Sequence, residues 1–159
     1  MTTYKLQQKD GQYFTEPILN EEEWYQVLLA ADNSKHRRQL DTLRMFLSQS
    51  GHKSTCARLS KVYSMSDSGI NMLVQHFGRF AQKASGKDFR IEANENTEDT
   101  FWPITMLGRK VRDGHFEWEL RPELVAAMQR LLLEKLLKKY RGPVIAEGLN
   151  SSRSDEIYK

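Results

Sequence analysis

The pattern of apolar and polar positions is most regular between residues 67 and 85, where it has the period of an amphipathic helix. Ser66 precedes this segment as an N-cap, and Gly86 follows it as a stop. The apolar residues recur at intervals of three and four: Ile70, Leu73, Val74, Phe77, Ala81 and Ala84. Such spacing predicts a helix that buries one face and leaves the opposite face in water.

A shorter helix is predicted immediately before this one, separated from it by the turn YSMSD. Either Ser54 or Thr55 supplies its N-cap. Its predicted core positions are Cys56, Leu59 and Val62. Two helices joined by so short a turn predict a helix-turn-helix, the motif that many proteins use to enter the major groove of DNA.

The N-terminal third predicts a hairpin and two more helices. Asp10-Gly11 is a turn signal between two short extended runs. Asn20 and Glu23 have the spacing of a capping box, so a helix begins there and ends at the sequence DNS. A second amphipathic helix is predicted from about residue 35 to residue 50, where Gly51 stops it.

The C-terminal half predicts a second hairpin and a final helix. Asp113-Gly114 lies between the runs FWPITMLGRKV and HFEWELR, which predict two strands. The apolar positions of the second strand alternate with charged ones: Phe116, Trp118 and Leu120. Pro122 then begins a leucine-rich helix, since proline is well tolerated in a first helical turn, and Gly142-Pro143 ends it.

Three helices followed by a β-hairpin are the order of elements in a winged-helix domain. We therefore predict an α+β, mainly helical, winged-helix-like fold with a helix-turn-helix and a β-hairpin wing. Residues 1–33 are predicted to form an N-terminal hairpin-helix extension, and residues 34–142 the winged-helix-like domain with its C-terminal helix. Residues 143–159 are predicted to be a linker or tail.

The formal net charge of +3 conceals a strong segregation of charge along the chain. Residues 1–33 carry a net charge of −4, whereas residues 34–90 carry +8. Residues 91–99 return to −4, and residues 100–159 carry +3. A local excess of cations indicates a polyanionic partner. A well-solvated surface would have the same composition, so the charge alone leaves both interpretations open.

The polar face of helix 67–85 carries side chains that can read DNA. Asn71 and Gln75 lie four residues apart on this face, and both residue types can pair with an adenine edge. Asp67 would repel phosphate there unless it caps the helix. The full set that we predict to contact double-stranded DNA comprises Lys53, Arg58, Lys61, Ser68, Asn71, Gln75, Arg79, Arg109, Lys110 and Arg112.

Patterns typical of catalysis are weak in this sequence. The four histidines fall in different predicted elements and form no ligand spacing with Cys56, which we interpret as a small core residue. Asp113, Glu117 and Glu119 are close in sequence, but the two glutamates alternate outward on the predicted strand and lack the lysine of a restriction-type nuclease. We therefore expect no catalytic residue, metal or cofactor in this chain.

Export and membrane insertion are not indicated by the sequence. The N-terminal segment MTTYKLQQKDGQYF has no apolar region of the kind found in a secretory signal. No run approaches the roughly 18 apolar residues that cross a bilayer. A single cysteine fits a reducing compartment, so we expect a cytoplasmic protein without a membrane partner.

Three motifs resemble a module of bacterial restriction and defence proteins. They are T-C-x-x-L-x-x-x-Y from residue 55, W-P-I…G from residue 102, and F-x-W-x-L-R-P-E-L from residue 116. Over residues 35–130 the chain is similar to the N-terminal region found ahead of McrB-like AAA nucleotidases and of some HNH endonucleases. The resemblance implies a DNA-targeting module, a partner nuclease or AAA nucleotidase domain or subunit, and a target that includes modified bases. It implies no active site here.

A protein-interaction or oligomerisation module is the alternative function. The predicted C-terminal helix is apolar on more than one side, and an apolar helix face of this kind often pairs with another chain. Its leucines would form the contact with a second copy or another protein: Leu131, Leu132, Leu133, Leu136 and Leu137.

Overall fold

The computed structural model describes residues 1–93 and 100–141, which form an α+β fold. Its elements are β1 (Thr2–Lys5), β2 (Gln7–Lys9), β3 (Gln12–Phe14), α1 (Glu21–Asp32), α2 (Arg37–Leu47), β4 (Lys53–Thr55), α3 (Cys56–Val62), α4 (Asp67–Ser85), β5 (Phe89–Glu92), α5 (Trp102–Thr105), β6 (Met106–Lys110), β7 (Phe116–Leu120) and α6 (Pro122–Arg141). In the described ranges, no helix is both long and apolar enough to span a membrane.

The predicted helix caps are present. Asn20 and Glu23 form a reciprocal capping box at the start of α1. The side chains of Thr55 and Ser66 accept backbone hydrogen bonds at the starts of α3 and α4. Gly86 ends α4 in a left-handed conformation with a φ of 71°, which glycine adopts without a Cβ penalty. The helix boundaries follow the local sequence closely because these capping residues and their hydrogen-bond partners define them.

Five strands form one antiparallel sheet in the order β2-β3-β6-β7-β4. The N-terminal hairpin β2–β3 is confirmed, and Asp10 and Gly11 both have the positive φ values of its two-residue turn. It adds to β6, while β4, which the sequence did not predict, adds to β7. The hairpin that we predicted as a wing is therefore the central pair of a larger sheet, rather than a pair with two free edges.

Two further differences from the predicted elements concern short segments. β1 and β5 form a separate parallel pair, with Thr2 opposite Phe89 and Lys5 opposite Glu92. The run from Trp102 to Thr105 is a helical turn and not the start of a strand, because Pro103 fits the first turn of a helix and removes a donor from a sheet. The strand that follows begins at Met106.

A single hydrophobic core joins α1, α2, α4, α6 and the sheet. At its centre Trp24 of α1 stacks on Phe77 of α4, with ring centroids 6.4 Å apart. Four predicted core positions are not fully buried, since Val62 is 60% exposed, Ala84 is exposed, and Cys56 and Leu73 are half-buried. These residues lie near the edges of the apolar stripes on their helices. At such positions the sequence pattern does not show whether a neighbouring element covers the side chain.

The N-terminal segment shares this core with the rest of the chain. Its strand β3 pairs with β6, and α1 packs mainly against α6. Residues 1–33 therefore contribute to the same sheet and core as the predicted winged-helix-like segment. The predicted helix stop at Gly142-Pro143 and the predicted tail 143–159 lie outside the described residues.

Candidate nucleic-acid interface

One side of α4 faces the core and the other faces solvent, and the segment around Phe101 covers one flank between them. Gln75 lies on this flank and is half-buried. Its side-chain oxygen accepts hydrogen bonds from the backbone N–H groups of Phe101 and Trp102, at 3.2 and 3.1 Å. That oxygen satisfies two donors at the start of α5. The prediction that Gln75 reads a base edge requires this same oxygen for a bidentate contact, so the side chain would have to leave Phe101 and Trp102 to make it.

Gly78 allows the Phe101 segment to approach α4 this closely. A Cβ at this position would lie 2.9 Å from Cβ of Phe101 and nearer still to its carbonyl oxygen. One residue further on, the Arg79 guanidinium carbon lies 5.0 Å from the centroid of the Phe101 ring. This distance is within the range of a cation–π contact, which restricts the exposed Arg79 side chain without neutralising its charge.

The remaining outward surface of α4 is mostly polar and carries two cations and one carboxylate, together with the exposed Met72. Ser68, Asn71 and Arg79 of the predicted set are all exposed there. Asp67 accepts a hydrogen bond from the backbone N–H of Ser68 at 3.0 Å, so its carboxylate interacts with the positive end of the helix. Lys83 extends the surface by one turn beyond Arg79 and is also exposed. Its spacing of four residues from Arg79 could have identified it from the sequence.

The helix before the turn and the strand before that helix supply three more exposed cations, Lys53, Arg58 and Lys61. Lys53 begins β4 opposite Glu119 of β7. Arg58 lies in the first turn of α3, where its backbone N–H donates to the Thr55 cap. These side chains extend the cationic surface from α4 to α3 and the edge of the sheet.

The turn between β6 and β7 carries the last part of the predicted set. Lys110 and Arg112 are exposed at this turn. Arg109 is exposed as well, but its guanidinium donates to the backbone carbonyl of Asp10 at 3.0 Å. Arg109 therefore connects the turn of the N-terminal hairpin to β6, and part of its hydrogen-bonding capacity is used within the protein.

Ion pairing distinguishes the cations that face α1 from those of the predicted DNA-binding set. Cations that face α1 are paired with its carboxylates: Arg37, Arg44 and Lys135 with Asp32, Lys87 with Glu23, and Arg130 with Glu22. By contrast, the predicted DNA-binding cations have no carboxylate within 4 Å among the side chains that the structure describes: Lys53, Arg58, Lys61, Arg79, Lys110, Arg112 and Arg109. The cations of α3, α4 and the β6–β7 turn therefore form no direct ion pair with these described carboxylates.

Two of the motifs behind the family resemblance have structural roles. Phe116 and Trp118 pack around the Trp102 ring, with centroids 5.4 and 6.0 Å away. Gly108 is required beneath them, since a Cβ there would lie 2.9 Å from Trp102 and closer to Phe116. The buried Arg121 donates to the carbonyl groups of two other segments, at Thr15 and Pro103. The W-P-I…G and F-x-W-x-L-R-P-E-L motifs thus specify packing at the end of the sheet.

The helix-turn-helix motif T-C-x-x-L-x-x-x-Y is also structural. Thr55 caps α3, Leu59 is fully buried, and the Tyr63 hydroxyl lies 3.0 Å from that of Ser48. Burial, with a smaller effect of the Asp67 charge, raises the pKa of the Cys56 thiol to about 11. The thiol is therefore protonated near neutral pH and a poor nucleophile. Within the described ranges, no three His, Cys, Asp or Glu side chains gather as metal ligands.

Comparison of the chain with protein-family models, with curated proteins and with solved structures gives no match.

Proposed function

We propose that this chain is a non-catalytic DNA-binding module that directs a bacterial restriction or anti-phage defence system to double-stranded DNA in the cytoplasm. In this proposal, α4 enters the major groove and uses Ser68, Asn71 and Arg79, while Lys110 and Arg112 contact the backbone. The family resemblance supports the defence context, a nuclease or AAA nucleotidase partner, and a target that includes modified bases.

The observation that carries the proposal is the group of cations on α3, α4 and the β6–β7 turn that form no ion pair with any carboxylate that the structure describes. Where surface cations serve only solubility, nearby carboxylates can neutralise them without loss of function. Glu22, Glu23 and Asp32 of α1 neutralise neighbouring cations in this way. A surface that binds phosphates must keep its cations available, because the release of counterions from DNA provides much of the affinity.

The order and pairing of the elements support a winged-helix interpretation of the same surface. The chain runs α2, β4, α3, α4 and then the β6–β7 hairpin, with β4 paired to β7. In this interpretation α3 and α4 are the helix-turn-helix, and the β6–β7 turn is the wing tip beside it. The cations of all three segments would then face one ligand.

The proposal is tested by fluorescence anisotropy with a labelled DNA duplex at several salt concentrations. If about six phosphates are contacted, we expect the affinity to fall about a thousandfold between roughly 50 and 200 mM salt. Arg79→Ala combined with Arg112→Ala should weaken binding at least about tenfold at the lower salt concentration. Duplexes with and without methylated cytosine test the expected preference for a modified base.

The control is Lys138→Ala combined with Lys139→Ala, which removes the same charge from exposed positions near the end of α6. It should reduce the affinity far less than the Arg79 and Arg112 variant does. Undetectable binding of the unaltered chain to any duplex, or binding that does not depend on salt, contradicts the proposal.

A second candidate function is self-association through α6. The C-terminal half of this helix exposes large apolar side chains: Leu132 at 43%, Leu133 at 55%, Leu136 at 50% and Tyr140 at 76%. Two copies of α6 packed antiparallel about Leu136 would bring Leu132 of one copy opposite Tyr140 of the other, because residues four apart share one face of a helix. The exposed apolar positions of this face are therefore self-complementary about a two-fold axis, which favours a second copy of the chain as the occupant.

Light scattering at micromolar concentration tests this candidate. Self-association predicts twice the chain mass of 18.6 kDa, and Leu133→Ser combined with Leu136→Ser should return the mass to that of one chain. Val62→Ser, at an exposed apolar position on α3, is the matched control and should leave the mass unchanged. A mass of one chain for the unaltered protein at all concentrations rejects the candidate.

A further inference from the structure

A surface recess of about 330 Å³ opens between the start of α2 and the second half of α4. Its basic and aromatic lining residues are Lys35, His36, His76, Arg79, Phe80 and Lys83. Only Arg79 belongs to the residues that we predicted to contact DNA. The two sides of the recess lie about forty residues apart in sequence, so no local motif identifies them.

Side-chain contacts hold the recess in shape without a ligand. The His36 and Phe80 rings lie 4.2 Å apart between centroids, which joins α2 to α4. Nδ1 of His36 lies 3.0 Å from the side-chain oxygen of Gln39, which also lines the recess. Arg79 is restricted by the Phe101 ring. The histidine and the arginine of this site are therefore positioned before anything binds.

The recess is strongly positive. Lys35, Arg79 and Lys83 have no carboxylate within 4 Å among the described residues, and none of the described residues that line the recess is acidic. The 11-residue helix α2 also begins here, without a side-chain cap and without an acidic residue in its first turn. The positive end of its dipole thus adds to the charge of the three side chains.

We propose that this recess binds a phosphate group. Three cations and an oriented imidazole offer the charge and the N–H donors that phosphate oxygens accept, and the positive end of the α2 dipole adds to the favourable potential. The phosphate is either one in the backbone of a DNA duplex or a free phosphate ion. The first source rests on the proposed function, since Arg79 belongs to both surfaces and a duplex on α4 would pass beside the recess.

The test for a backbone phosphate is the salt dependence of duplex binding by Lys35→Gln combined with Lys83→Gln. Loss of one phosphate contact lowers the slope of log affinity against log salt by about 0.9 and weakens binding severalfold at low salt. Lys138→Gln combined with Lys139→Gln is the control of equal charge and should keep the slope of the unaltered chain. Thermal unfolding of each variant verifies that the fold is retained.

The test for a free ion is titration of the chain with inorganic phosphate, followed by the NMR signals of the His36 and His76 rings. Binding predicts saturable shifts of both rings that are absent from the Lys35 and Lys83 variant. If the unaltered chain binds no duplex but shows these shifts, the proposed function fails and the recess stands as a site for free phosphate.

The remaining outcomes overturn the inference. An unchanged salt slope in the Lys35 and Lys83 variant, together with no saturable ring shifts, rejects the recess as a phosphate site while the DNA-binding proposal stands. If the unaltered chain binds neither a duplex nor inorganic phosphate, both proposals are wrong.

Discussion

At the scale of single residues, the glycine at position 78 controls what the flank of α4 can bind. Its missing side chain lets the backbone of Phe101 lie directly against the helix, in a space that a Cβ would occupy. The Phe101 ring then meets Arg79, and the backbone N–H groups at 101 and 102 meet Gln75. The absence of a side chain at Gly78 thus determines which polar side chains of α4 form contacts with the Phe101 segment.

Gly78→Ala tests this close approach. In the middle of a helix, alanine ordinarily stabilises by about 1 kcal/mol relative to glycine. Here we expect the opposite sign, a loss of about 1–3 kcal/mol in the free energy of unfolding, because the added Cβ must displace the Phe101 segment. Urea denaturation at neutral pH measures the difference. An increase in stability would mean that the Phe101 segment does not pack against α4 in this way.

At the scale of elements, Gln75 connects α4 to α5. Gln75→Ala removes the acceptor of two backbone N–H groups in a half-buried position, so we expect a loss of about 1–2 kcal/mol in the free energy of unfolding. Asn71→Ala, one turn earlier and exposed, should change stability by no more than about 0.5 kcal/mol.

The same two variants should have the reverse order of effects on duplex binding. Asn71→Ala should weaken binding and relax the preference between base pairs, whereas Gln75→Ala should mainly alter stability. Urea denaturation and fluorescence anisotropy on both proteins provide the comparison. A large loss of base preference in Gln75→Ala with unchanged stability would instead support the prediction that Gln75 reads a base edge.

The elements that the sequence predicts well are those with local signals. The four long helices have apolar periods and most have caps or stops within a few residues, so α1, α2, α4 and α6 lie close to their predicted ranges. β4 and β5 have only three and four residues, and their pairing partners β7 and β1 are distant in sequence. Short strands of this kind are defined by tertiary pairing and leave little pattern of their own.

The candidate site shows the same limit at individual positions. Exposed cations such as Lys53 and Arg112 could be predicted, because charged residues outside an apolar stripe remain in solvent. Gln75 could not, since a polar residue beside an apolar stripe has the same pattern whether it binds a base or a backbone amide 26 residues away. The recess beside His36 depends on contacts between α2 and α4 that no sequence period encodes.

At the scale of the whole molecule, charge is distributed asymmetrically, and α1 carries the carboxylates that balance the cations around it. Asp32, at the end of α1, is the main example, because its side chain is only 9% exposed and is shared by three helices. It pairs with Arg37 and Arg44 of α2 and with Lys135 of α6. The hydrogen bond from Lys135 and the three positive charges lower the pKa of Asp32. This carboxylate links the N-terminal helix to both of its helical neighbours.

Asp32→Asn should therefore destabilise the fold in a pH-dependent way. We expect a loss of about 1–2 kcal/mol in the free energy of unfolding at pH 7, a moderate value because the three cations are partly exposed. A lowered pKa in the folded state means that the stabilisation is complete above the usual value of 3.8 and disappears as the pH falls through the folded-state pKa. Urea denaturation from pH 7 down to about pH 2 should then show the two proteins converging in acid. Asp41→Asn, which removes an exposed carboxylate that pairs with Arg44, is the control and should lose no more than about 0.5 kcal/mol. A difference that persists unchanged in acid would show that the charge of Asp32 is not what stabilises the contact between the helices.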